Sequence, residues 1–244
     1  MVGFLSIDCG SAAASNYTNP STTIQWQPDA MIWPEIGNWS ATASVSPPES
    51  MAEQTQYGTL RYFPTQQHKA LNHSKFCYTL PAIAGNYYLI RASFWMGPKE
   101  LYPTRVSWQI RFRVIVDTYE GVEVIINFPQ SNPWFEEMYV RAQSGKSSLS
   151  VCLSAASDSS DIPFINSLEV RPLLQTMTSV EMMSTTNFAL RTVDRRDFGT
   201  LSNIPPIIRL EIFQLIFIIP NGNINSYLNL SIPMSARSGI RTTL

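Results

Sequence analysis

Charge is scarce in this chain. Asp, Glu, Lys and Arg make up 14% of the 244 residues, against roughly 25% in an average soluble domain. The 17 basic and 18 acidic side chains nearly cancel, and the net charge is −1. No basic block is present, which excludes nucleic acid and an anionic bilayer surface as electrostatic partners. Histidine is limited to His68 and His73 in one polar stretch, with no acidic or cysteine companion at metal-ligand spacing. Cysteine is limited to Cys9, Cys77 and Cys152. None forms a C-x-x-C pair, so no structural zinc site is expected, and at most one disulfide can form. G-x-S-x-G, P-loop and G-x-G-x-x-G signatures are missing. The expectation is therefore no cofactor, no metal and no catalysis. The longest apolar run, Ile207 to Ile219, carries Arg209 and Glu211. It is shorter than the ~20 apolar residues a bilayer requires, so no membrane insertion is expected. No basic n-region and apolar h-region precede Phe4, and for a secreted domain that reads as an incomplete chain.

What is present is strand periodicity. Val106, Trp108, Ile110, Phe112, Val114 and Val116 alternate with mostly polar residues, as a half-buried strand does. Val122, Val124, Ile126 and Phe128 repeat the pattern after Glu120-Gly121, which predicts a hairpin. Leu149, Val151 and Leu153 alternate with serines and Cys152. Tyr87 to Trp95 is apolar on both faces, as a central strand covered on both sides would be. Pro81, Gly85-Asn86, Gly97-Pro98, Pro129 to Pro133 and Gly145 punctuate these runs. Long helical periodicity is absent; short helical turns are expected near Asp29 to Ile32 and Pro133 to Met138. Many short strands with Pro-rich loops predict an all-β fold, a sandwich of two antiparallel sheets.

Several short segments stand in a fixed order: Phe4 to Gly10, Thr59 to Pro64, Cys77 to Pro81, Tyr88 to Phe94, Val151 to Leu153, and Pro163 to Leu173. Together they resemble the malectin-like domain of plant receptor-like kinases. The resemblance implies a jelly-roll-like β-sandwich lobe over residues 1–174. It continues as a linker and the first strand of an incomplete second lobe over 175–202. From 203 to 244 it stops, and that tail is expected to be poorly ordered. It also implies an extracellular, non-catalytic recognition domain whose parent is a single-pass plasma-membrane protein with a cytoplasmic Ser/Thr kinase. The implied partner is cell-wall carbohydrate or, alternatively, a secreted peptide or co-receptor protein with no sugar binding. Cys9 and Cys77 both flank such segments and are the expected disulfide; three reduced cysteines are the alternative.

Sugar sites need aromatic rings against C–H faces and polar groups against hydroxyls. Trp95 and Tyr102 follow the Tyr87 strand run, and Tyr62, Trp39 and Trp33 lie in or near loops. Asp161 precedes the last strand of the lobe. Trp95, Tyr102, Asp161 and Tyr62 are the candidate ligand contacts, weighed against core packing for the aromatics and turn formation for the acid. Arg61 and Arg91 read as structural. Glu136, Glu137, Asp158 and Asp161 read as loop acids. Sequons place candidate glycans at Asn16, Asn38 and Asn72, in loop-like sequence.

Overall fold

The computed structural model describes residues 4–20, 22–49, 55–64, 75–97, 109–127, 130–159, 161–173, 189–198, 210–218 and 224–232; side chains are described up to 192, except at 120 and 121. In chain order the strands begin with β1 (Leu5–Asp8), β2 (Tyr17–Thr18) and β3 (Gln25–Pro28), followed by the single-turn helix α1 (Asp29–Ile32). Next come β4 (Ala41–Ser44), β5 (Thr59–Tyr62), β6 (Phe76–Pro81) and β7 (Tyr87–Phe94). The lobe is completed by β8 (Gln109–Val116), β9 (Tyr119–Asn127), β10 (Trp134–Arg141), β11 (Ser148–Ala155), β12 (Phe164–Ile165) and β13 (Ser167–Leu173). Then follow β14 (Ala189–Phe198), β15 (Leu210–Ile218) and β16 (Ile224–Ile232).

The largest sheet runs β16-β15-β14-β10-β7-β13-β1-β3-β2, and the others run β6-β11-β8-β9 and β12-β5-β4. Every strand pair except β1–β3 is antiparallel. Alternation in sequence becomes alternation in space: Ile110, Phe112, Val114 and Val116 of β8 are buried and their neighbours are not. Facing them from β7 are Tyr88, Ile90, Ala92 and Phe94. Phe94 meets Phe112 edge-on at 5.1 Å between centroids, and Phe164 of β12 closes the cluster at 5.5 Å from Phe112. Such ring pairs add to the area they bury.

One expectation changes. Pro133 to Met138 is not a helical turn: Trp134–Arg141 is a strand hydrogen-bonded along its whole length to β7. Met138 and Val140 bury on the core side, so sheet pairing overrides the local turn signal. Within 203–244 the structure describes β15 and β16, extending the sheet through β14. β14 itself pairs with β10 at Arg191 and Leu190, in the same sheet as β7 and β13.

Gly10 is where backbones meet most closely. Its φ is +86°, and a Cβ there would lie 2.5 Å from the Leu60 carbonyl oxygen. Gly85 has a similar φ of +81° but nothing nearer than 3.9 Å. Gly10→Ala therefore adds backbone overlap to left-handed strain and is expected to cost about 3 kcal/mol or more, whereas Gly85→Ala costs about 1 kcal/mol. Urea unfolding of the two variants side by side checks this; equal midpoints would refute the close-approach argument.

Candidate recognition end of the sandwich

The register sorts the connections by end. At one end the turns are tight: β6–β7 around Gly85, β8–β9 at Asp117-Thr118, and β10–β11 around Gly145. Asp117 takes the left-handed conformation at φ 51°, and its Oδ1 accepts from the Ser150 amide (2.7 Å) and hydroxyl. An aspartate tolerates that region better than most side chains. At the other end β7 stops and β10 starts, β9 stops and β8 starts, and β11 stops and β6 starts. Phe94 lies opposite Trp134, Gln109 opposite Asn127, and Phe76 opposite Leu153. Long loops gathered on a rigid sandwich end are where recognition is usually built.

Of the candidate ligand residues, Trp95, Asp161 and Tyr62 are described, and they do not form one shelf. Trp95 is 3% exposed; its indole N–H donates to the Ser46 carbonyl (2.8 Å), and its amide donates to Asn166 Oδ1. It closes the core, which is the packing alternative. Asp161 Oδ2 accepts from the Arg111 amide at 2.9 Å and so caps the start of β8. Tyr62 is half-buried and lies opposite Phe164 in the β5–β12 register. Tyr102 lies outside the described residues. So do His68, His73 and Asn72. Asn16 and Asn38 are exposed.

Two aromatics unmarked by the sequence reading are exposed here: Trp134 (40%) and Phe135 (39%), adjacent on β10 and so on opposite faces of the sheet. The Arg91 guanidinium lies 5.8 Å from the centroid of Phe135, and Tyr57 meets that ring edge-on at 6.5 Å. A Trp-Phe pair directly after Pro133 was the available signal. Beside them Gln130 bridges the loop, accepting from the Met96 amide (3.2 Å) and donating to the Phe94 carbonyl (3.3 Å).

Glu136 and Glu137 are not loop acids. Both are buried, because cations compensate them. Arg191 holds Glu136, with Nη2 to Oε2 at 2.9 Å. Arg91 holds Glu137 at 2.5 Å and continues to Glu169, which binds Arg171. Burial still pushes Glu136 above the usual carboxylate range, opposed by Arg191. Asp158 binds Arg111 at the surface, alongside Glu123. Arg61 is structural as expected. It is buried, forks onto Asp29 with Nη2 to Oδ1 at 2.8 Å, and reaches the Ser40 hydroxyl through Nη1 at 2.8 Å. The Gly10 amide and the Tyr78 hydroxyl also donate to Asp29.

The disulfide joins Cys77 to Cys152, correcting the expected Cys9–Cys77 pairing. The two cysteines are directly opposite in the β6–β11 register, with Cα atoms 3.9 Å apart. Strand alternation turns Cys77 outward while its neighbour Tyr78 turns into the core. Cys9 is wholly buried, and burial pushes its thiol well above the ordinary range. Among the described residues no group of three or more His, Cys, Asp or Glu is placed to hold a metal, and no helix is long and apolar enough to cross a membrane.

Fold and site define an all-β sandwich with the exposed aromatics Trp134 and Phe135 at the start of β10, without a catalytic constellation among the described residues. A family model, the malectin-like domain, matches residues 7–211, and the chain belongs to that family. It is 33% identical over 199 residues to a probable LRR receptor-like serine/threonine-protein kinase of Arabidopsis thaliana, covering 80% of this chain and 18% of the relative. The LRR receptor-like serine/threonine-protein kinase IOS1 of the same plant is 28% identical over 201 residues, covering 82% and 20%. Among solved structures, the plant receptor-like kinase FER superposes with a TM-score of 0.55 at 21% identity, over 80% of this chain and 50% of that one. The ANX1 ectodomain of Arabidopsis thaliana gives 0.54 at 17% identity, over 82% and 54%. A further structure holds the plant peptide RALF23 in complex with FER and LLG2; it superposes at 0.51 and 18% identity, over 80% and 50%. This chain thus spans about a fifth of those curated relatives and about half of those solved chains. The kinase domain that names the relatives is not part of these 244 residues.

Proposed function

We propose that this chain is the extracellular ligand-recognition part of a plant receptor-like kinase, and that its loop-bearing end takes a peptide or a partner protein. The observation that carries this is the fate of the aromatics. Trp95, the leading sugar-shelf residue, is spent on the core, whereas Trp134 and Phe135 stand exposed on either face of one strand. Exposed aromatics over a rigid, ion-paired sheet are typical anchors for protein contacts. The complex of FER with RALF23 and LLG2 supports the same ligand class. Carbohydrate is the second reading, favoured by the half-buried Tyr62, opposite Phe164 in the β5–β12 register. In this setting Asn16 and Asn38 carry glycans, and the parent anchors the domain at the outer face of the plasma membrane.

Binding screens against secreted plant peptides, receptor ectodomains and a glycan array separate the two readings. The expected result is a peptide or ectodomain ligand whose Kd rises at least tenfold in the Trp134→Ala/Phe135→Ala double variant, with Tm unchanged. A glycan ligand insensitive to that double change and abolished by Tyr62→Ala would replace the protein-ligand reading with the carbohydrate one.

A further inference from the structure

We propose that the Asp8 carboxyl is a proton-operated latch: neutral, it keeps the excursion of residues 11–24 closed on the sandwich, and ionised, it loosens it. Asp8 ends β1 and is 2% exposed. The Tyr17 hydroxyl donates to its Oδ2 at 2.7 Å, the Thr59 hydroxyl reaches Oδ1 at 3.3 Å, and the Ser11 hydroxyl bonds it as well. Three segments converge on this one carboxyl: β1, the 11–24 excursion that contains β2, and β5. All three partners are uncharged.

Among the described residues the packed elements supply no cation to it. β13 presents Ser167 at the paired position, and β3 presents Pro28. α1 contributes Asp29, whose negative charge opposes ionisation. Arg61 of β5 is committed to Asp29 and Ser40. Tyr17 and Cys9 are held neutral, burial raising both. A carboxylate sealed from water without a cation is disfavoured against its neutral acid, and the hydroxyl donors recover only part of the loss. In keeping with this, burial pushes the Asp8 carboxyl up to about 6, against the bonds from Tyr17, Thr59 and Ser11.

The sign follows from linkage. The carboxyl of Asp8 titrates higher in the closed form than the ~3.9 of an exposed aspartate, so the closed form holds the extra proton. Its contribution to closure is full below about pH 4 and is lost as pH rises through about 6. Moving from pH 5 to pH 7 therefore opens the 11–24 excursion about tenfold more often. Asn16, exposed and next to Tyr17, rides on the moving segment.

Amide hydrogen exchange of the full chain, corrected for intrinsic rate, tests this between pH 5 and pH 7. The expected result is about tenfold greater opening of residues 11–24 at pH 7 in the wild type, and pH-independent opening in Asp8→Asn. Carbon-13 titration of the Asp8 carboxyl in the wild type should give a midpoint near 6. Tyr17→Phe, which removes a donor to the ionised form, should move that midpoint higher. Equal opening at both pH values in the wild type, the same pH dependence in Asp8→Asn, or a midpoint below about 4.5 would each overturn the proposal.

Discussion

Asp29→Ala is expected to lower the unfolding free energy by about 3–5 kcal/mol, among the largest losses from any single change to a polar residue in this lobe. Asp29 is fully buried, and four hydrogen bonds from three groups converge on its carboxylate: two from the Arg61 guanidinium, one from the Gly10 amide and one from the Tyr78 hydroxyl. Removing it leaves the Arg61 guanidinium buried with only Ser40 as a neutral partner. The cost is chiefly that stranded charge, not the net worth of the pair. The discriminating comparison is Asp29→Leu with Arg61→Met. With both charges gone the loss should be smaller than for Asp29→Ala alone, measured by urea unfolding at neutral pH. A double variant that loses as much as the sum of the two single changes would show that the two residues act independently. Small domains hold only about 5–15 kcal/mol in total, so the single change brings the lobe near its folding limit.

Reducing the Cys77–Cys152 bridge, or replacing both residues with serine, should cost about 4 kcal/mol, since the link spans 75 residues of an otherwise flexible unfolded chain. Cys9→Ala should leave the bridge intact and cost far less, the loss of a small buried thiol that packs like a hydrophobe. Non-reducing peptide mapping gives the pairing directly, and chemical unfolding with and without reductant gives the energy. A Cys9-containing cross-link in the native protein would overturn the assignment. So would a reduced protein as stable as the oxidised one.

Part of this architecture was legible in the residues. The alternation through Ile110, Phe112, Val114 and Val116 announced β8, and the doubly apolar Tyr87 to Trp95 announced the central β7. Both signals are local: side-chain direction in a strand repeats every two residues, so a buried face prints itself on the sequence. The ordered segments from Phe4 to Gly10 through Pro163 to Leu173 were enough to suggest the family that the comparison shows.

What failed was decided by partners far away in sequence. Pro133 to Met138 carried turn chemistry, yet β7 and β14 draw it into a sheet. Glu136 and Glu137 read as surface acids because nothing near them in sequence reveals Arg191 and Arg91. Between ligand contact and core packing, both open for Trp95 in the sequence, the choice rests on the Ser46 carbonyl that accepts from its indole 49 residues back. Cys9 seemed the natural partner for Cys77 until the β6–β11 register placed Cys152 directly across.

The sequence by itself thus determined the all-β class, the strand periodicity, the scarcity of charge and the resemblance to the malectin-like domain, since composition and a two-residue repeat need no knowledge of contacts. Only the tertiary structure decided which aromatics face solvent, which cysteines bond and which carboxylates are buried. Those outcomes depend on strand register and on what packs across the sandwich, and long-range pairing leaves no local mark on the residues it joins.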